Sequence, residues 1–194
     1  MKTERFKVRS NGDGMEAALD AAENFAREVG LDEKNSCRVR LLAEETMSMV
    51  RSIVEDFEAD FWLEENASKC TLHLTAETFM TIGKKRRLID ASTDKKNAAS
   101  VGIMGKIRDI IEMGFGTTDT MYMSMGGIMT MQPDVYLWSL DNYRQDIKNA
   151  SDDDSQIAEA LDELEKSIVA NIADDVRVAV RGNNIEMVIE KSFA

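Results

Sequence analysis

Histidine and proline occur once each and cysteine only twice, at Cys37 and Cys70. The two cysteines are far apart and lie in no metal-ligand spacing, so they read as reduced thiols, which fits the cytoplasm. No long apolar run approaches a membrane span, and the opening MKTERFKVRSNGDG lacks the apolar segment of a signal peptide. A soluble, cytoplasmic protein with no membrane association is the expectation. Positive charge is also scarce, with 24 basic against 36 acidic residues and a net charge of −12. Such a field disfavours phosphate backbones, so nucleic acid is not an expected partner. The basic residues cluster once, at GKKRR (83–87), which reads as a solvated loop, with contact to an anionic small molecule as the alternative. Nucleophile elbows, HExxH and Walker-type loops are missing. His73 alternates within TLHLT, as a structural or exposed strand histidine does.

What is there suits one domain over 1–194: 43% of residues are apolar and 31% charged, enough for a core without disulfides or metal. ERFKVRS (4–10) alternates like a half-buried strand, and MEAALDAAENFAREVG (15–30) reads as a helix ending at Gly30. A second helix is expected from a cap at Asn35 or Ser36 to about Glu55. DFWLEEN and KCTLHLTAET read as strands joined by a turn at Asn66 to Ser68. TIGKKRRLIDASTDKKNAAS (81–100) has no period and reads as a long loop, and SVGIMGKIRDIIEMGF (100–115) as a helix with Ile103, Ile107, Ile110 and Ile111 inward. Past the lone Pro133, VYLWSL is strand-like and a short helix is expected from Asp141. SDDDSQIAEALDELEKSIVANIA predicts one helix with Ile157, Leu161, Leu164, Ile168 and Ile172 as its apolar stripe. The end of the chain alternates about Gly182-Asn183-Asn184, a hairpin signal. The expected class is α+β: a mixed, mainly antiparallel sheet with helices on one face.

Two stretches invite a functional reading. In RLLAEETMSMVRSI (40–53), Val39, Leu42, Thr46, Val50 and Ile53 form the core stripe, which turns Glu44 and Ser48 together to the other side. Arg40, four residues before Glu44, is placed to pair with it. Met121, Met123, Met125, Met129 and Met131 crowd a second stretch, suited to irregular core filling or to an adaptable contact surface.

The order helix, acid-bearing helix, two strands, lid, helix, hairpin resembles the GHKL (Bergerat-fold) ATPases, and most closely bacterial anti-sigma-factor serine kinases. AEETMS (43–48) is similar to the family's E-x-x-x-N motif, LHLTAET (72–78) to its adenine-reading strand end, NAASVGIMGKI (97–107) to its glycine-containing lid, and NNIEMVIEKSF (183–193) to its closing strand. The resemblance implies ATP and magnesium as cofactors. It implies Glu44 as general base, Ser48 in place of the magnesium-holding asparagine, and Glu77 with Thr78 at the adenine. It further implies Gly102, Gly105 and Lys106 at the phosphates, which Lys95 and Lys96 could also approach. Residues 114–150 would be an insertion. A second alignment puts the family's last helix at 156–173 and leaves 100–113 as lid.

The functions so implied are an ATP-binding regulatory protein, acting as a protein serine kinase or weak ATPase. Its partner would be a sigma factor or an anti-sigma antagonist, and homodimer formation is open. The alternative is a nucleotide-free module of the same fold that works by protein–protein binding, with the methionine-rich stretch as its surface. A metal-dependent hydrolase has no ligand spacing behind it.

Overall fold

The computed structural model describes residues 1–78, 102–115, 129–132, 135–149 and 155–193. Seven strands, β1 (Phe6–Arg9), β2 (Phe57–Asn66), β3 (Lys69–Thr78), β4 (Met129–Gln132), β5 (Val135–Ser139), β6 (Asp175–Arg181) and β7 (Asn184–Ser192), form one sheet in the order β1-β2-β3-β7-β6-β5-β4. Every ladder between them is antiparallel. Six helices accompany the described strands: α1 (Met15–Glu28), α2 (Glu33–Ile53), α3 (Gly102–Phe115), α4 (Leu140–Asn149), α5 (Ser155–Lys166) and α6 (Ile168–Ile172). The expectation of an α+β fold with a mainly antiparallel sheet therefore holds, and among the described strands the ladders are all antiparallel. Within residues 114–150, expected as an insertion, the described β4 and β5 add two strands to the edge of the sheet and α4 follows them. The loop expected at 81–100 and most of the methionine-rich stretch lie outside the described residues.

Strand alternation divides the sheet into two unlike faces. Phe61, Leu63, Leu72, Leu74, Val176, Val178, Val180, Ile185, Met187 and Ile189 are all buried on the face that carries the helices. Against them pack Leu19, Ala22 and Phe25 of α1, the Val39, Leu42, Thr46, Val50 and Ile53 stripe of α2, and Ile103, Ile107, Ile110 and Ile111 of α3. A buried phenylalanine or leucine contributes about 2 kcal/mol by area, so this face accounts for most of the fold's stability. The other face bears Lys7, Arg9, Glu58, Asp60, Glu64, Lys69, Arg177 and Glu190. They are joined in cross-strand ion pairs such as Lys7–Asp60 at 3.1 Å and Lys69–Glu190 at 2.9 Å.

Local signals set most boundaries. Gly30, at φ 86°, ends α1, where its N–H bonds to the Arg27 carbonyl and that of Leu31 to Ala26. The turn between β2 and β3 places Ala67 and Ser68 at φ 51° and 66°, the mirror-image geometry that suits a twisted hairpin, even though neither is glycine. Glu65 Oε1 accepts from Ser68 N at 3.1 Å and helps hold it.

Three expectations are corrected. The α2 cap is Asp32, whose carboxylate accepts from Asn35 N at 2.8 Å, so the helix begins before Asn35 and Ser36. The helix expected after residue 151 breaks at Ser167, whose hydroxyl caps α6 through Ala170 N. The break ends the shared axis on which the apolar stripe depends. Ile157, Leu164 and Ile172 of the expected stripe still pack against the core, whereas Leu161 and Ile168 are exposed and Ala160, Val169 and Ala170 are buried. Arg40, finally, does not pair with Glu44. Its guanidinium reaches across to α1 and meets Asp20 at 2.7 Å, Glu16 at 2.7 Å and Glu23 at 3.4 Å. The hydrogen bonds to Asp20 and Glu16 raise its pKa.

Candidate functional site

Glu44 and Ser48 lie one turn apart on the outer side of α2, both exposed. That follows from the nine buried positions of this helix, from Ser36 to Ile53, most of which fall on the opposite side, with Met47 at the edge next to Glu44. Glu45 beside them is half-buried, and Leu41 partly so. At the end of β3 the two adenine candidates diverge. Glu77 is exposed on the open face of the sheet, between Glu58 of β2 and Asn184 of β7 in register. Thr78 is buried on the helix side, and its N–H and hydroxyl both donate to the Asn183 carbonyl, at 2.9 and 3.2 Å. The Thr78 side chain is thereby committed to holding the β6–β7 turn.

Gly102 and Gly105 share the first turn of α3 and Lys106 opens the second, with Gly105 and Lys106 half-buried. That helix packs on β5, β6 and α5, whereas α2 packs on β3, β7, α1 and α6. The expected site residues are thus brought together in pairs and not as one set. Helix α2 and the sheet both lie between the Glu44 and Glu77 carboxylates. Among the described residues the base and metal candidates lie on one surface and the adenine acceptor on another, and placed so they do not fit a nucleotide–magnesium group. Lys95 and Lys96 lie outside the described residues. No group of three or more His, Cys, Asp or Glu side chains among the described residues is arranged to hold a metal ion.

The cysteines differ in kind. Cys70 is buried on β3, and loss of solvation pushes its thiol up to about 12, which makes it inert as a nucleophile. Cys37 is exposed on α2.

A cluster that sequence reasoning set aside lies on the open face. Trp62 and His73 are direct cross-strand partners, and their rings stack in parallel at 4.8 Å with an interplanar angle of 1°. The Arg5 guanidinium lies 4.3 Å from the centre of the Trp62 ring and the Lys2 ammonium 5.5 Å from it. Glu64 Oε1 accepts from Lys2 Nζ at 2.6 Å and from Trp62 Nε1 at 3.0 Å. These cations do for Trp62 what the helices do for Phe61, and Trp62 keeps only 8% of its exposure. Both ring nitrogens of His73 are buried and have no hydrogen-bond partner. Burial pulls the imidazole below its ordinary 6.5, against the raising pull of Glu64 and Glu186 and with the lowering push of Lys2 and Arg177. The signal was present in the sequence: a hairpin centred on 66–69 places residues 62 and 73, and 64 and 71, opposite one another.

No protein-family model, curated protein or solved structure matches the chain. No described helix is long and apolar enough to cross a membrane.

Proposed function

We propose that this protein is a nucleotide-free regulatory module of Bergerat-like build that acts by binding another protein. The observation that carries the reading is the separation of Glu44 and Ser48, on the outer side of the helix layer, from Glu77 on the far side of the sheet. Phosphoryl transfer depends on positioning and charge neutralisation around one bound nucleotide, and separated carboxylates supply neither. The net charge of −12 favours a partner with a basic surface. Calorimetric titration with ATP and magnesium tests this. No binding heat is expected at nucleotide concentrations up to about 1 mM, the regime of a free energy near −4 kcal/mol. Tighter binding that is lost in Glu44→Ala would overturn the proposal and restore the ATP-binding reading.

A further inference from the structure

The N-terminal arm, residues 1–5, is laid along β2 by few contacts, and its side-chain anchors converge on the one histidine. Along the backbone, Thr3 N donates to the Leu63 carbonyl at 3.0 Å and Glu65 N to the Met1 carbonyl at 2.8 Å. Leu63 N donates in turn to the Thr3 hydroxyl at 3.0 Å. The Met1 ammonium donates to the Glu65 carbonyl at 2.9 Å and lies 3.4 Å from its carboxylate. Two cationic side chains complete the attachment: Lys2 on the Glu64 carboxylate, and Arg5 on the Trp62 ring. Both anchor points touch His73. Its ring lies against one face of Trp62, and its Nε2 is 4.0 Å from Glu64 Oε2, about 1 Å beyond hydrogen-bond distance.

We propose that His73 is an acid-operated release for the N-terminal arm. A neutral imidazole leaves Glu64 to Lys2 and the Trp62 π-cloud to Arg5. An imidazolium competes for both. A charge-assisted N–H to carboxylate bond is about 2.8 Å long, so Glu64 Oε2 must move toward His73 to form it, which reorients the carboxylate that holds Lys2 through Oε1. The new positive charge also repels Lys2 directly and rivals Arg5 for the indole.

The other charged groups around the ring are accounted for. Arg177 of β6 faces it across Val188 and opposes protonation, while Glu186 of β7 favours it. Lys69 and Glu190, which line the same groove, are joined to each other, and Glu190 also pairs with Arg177. Glu64 is therefore the carboxylate that links His73 to the arm. The Lys2 charge opposes the charged imidazole while the arm is docked, and that opposition ends when the arm leaves, so proton uptake and arm release drive each other.

Amide hydrogen exchange on the full chain tests the device. The amides of Thr3, Leu63 and Glu65 should lose protection, corrected for intrinsic exchange, between pH 7 and pH 5. The loss should be about tenfold for each pK unit by which the imidazole differs between docked and released arm. In His73→Gln, which keeps a polar side chain but does not titrate there, protection should stay flat across the same range. An equal loss in parent and variant would overturn the proposal. The parent alone also decides the matter, whether or not the variant folds. The NMR titration midpoint of the His73 ring protons must coincide with the midpoint of arm release, and two separate midpoints would contradict the coupling.

Discussion

Phe61 and Trp62 are neighbours on β2 whose side chains leave the sheet in opposite directions, and both are nearly buried. Phe61 is buried by helices, within a cluster of interlocked aliphatic side chains. Trp62 is buried by a histidine ring and two cationic side chains from the arm. Equal burial therefore has two physical meanings. One surface is sealed by close packing, which has no ready alternative arrangement. The other is covered by charged groups held through electrostatics, which pH and salt can shift. Stability belongs mainly to the first face and responsiveness to the second.

The comparison makes graded predictions. Phe61→Ala opens a cavity among helices and should cost about 3–5 kcal/mol by chemical denaturation. Trp62→Ala should cost less, about 2 kcal/mol, because Arg5 and Lys2 can return to water and the site can collapse. A reversed order would break the distinction between the faces. A smaller effect is expected from Arg40→Ala, roughly 1–2 kcal/mol, since one guanidinium serves three partly exposed carboxylates on α1. High salt should shrink that difference.

The smallest effect is the pH dependence traced to His73. Its folded-state pKa lies below the ordinary 6.5, so the unfolded chain binds the proton more readily. Its contribution to stability is therefore complete above about 6.5 and is lost as pH falls toward the folded value. Denaturation midpoints of the parent should drop across this window, and those of His73→Gln should drop less. The carboxylates of Glu58, Glu64 and Glu65 act at lower pH. Arg9 lowers the first, Lys2 the second, and the Ser68 backbone N–H the third. Their contributions are present above about 4.5 and are lost as pH falls further.

Much of the architecture was legible in the sequence because period and punctuation are local properties. The two hairpins, the α2 core stripe and the four buried isoleucines of α3 all follow from spacing alone. The Ser167 break was not legible, since its serine sits in an unbroken apolar rhythm and the change of axis is a tertiary choice. Arg40 shows the same limit. An acid four residues away in sequence lost to three on another helix. The site residues depended on a third kind of information. Glu77 and Thr78 are adjacent in the chain, but which of them faces the helices is fixed by strand register, and that register turns Glu77 away.

The central claim is that the Glu44 face and the Glu77 face are separate surfaces with no nucleotide between them. Mapping amide chemical-shift changes along the whole chain during titration with ATP and magnesium tests it most directly. The account predicts no saturable change shared by Glu44, Ser48 and Glu77. A single saturating isotherm that moves all three together would contradict it.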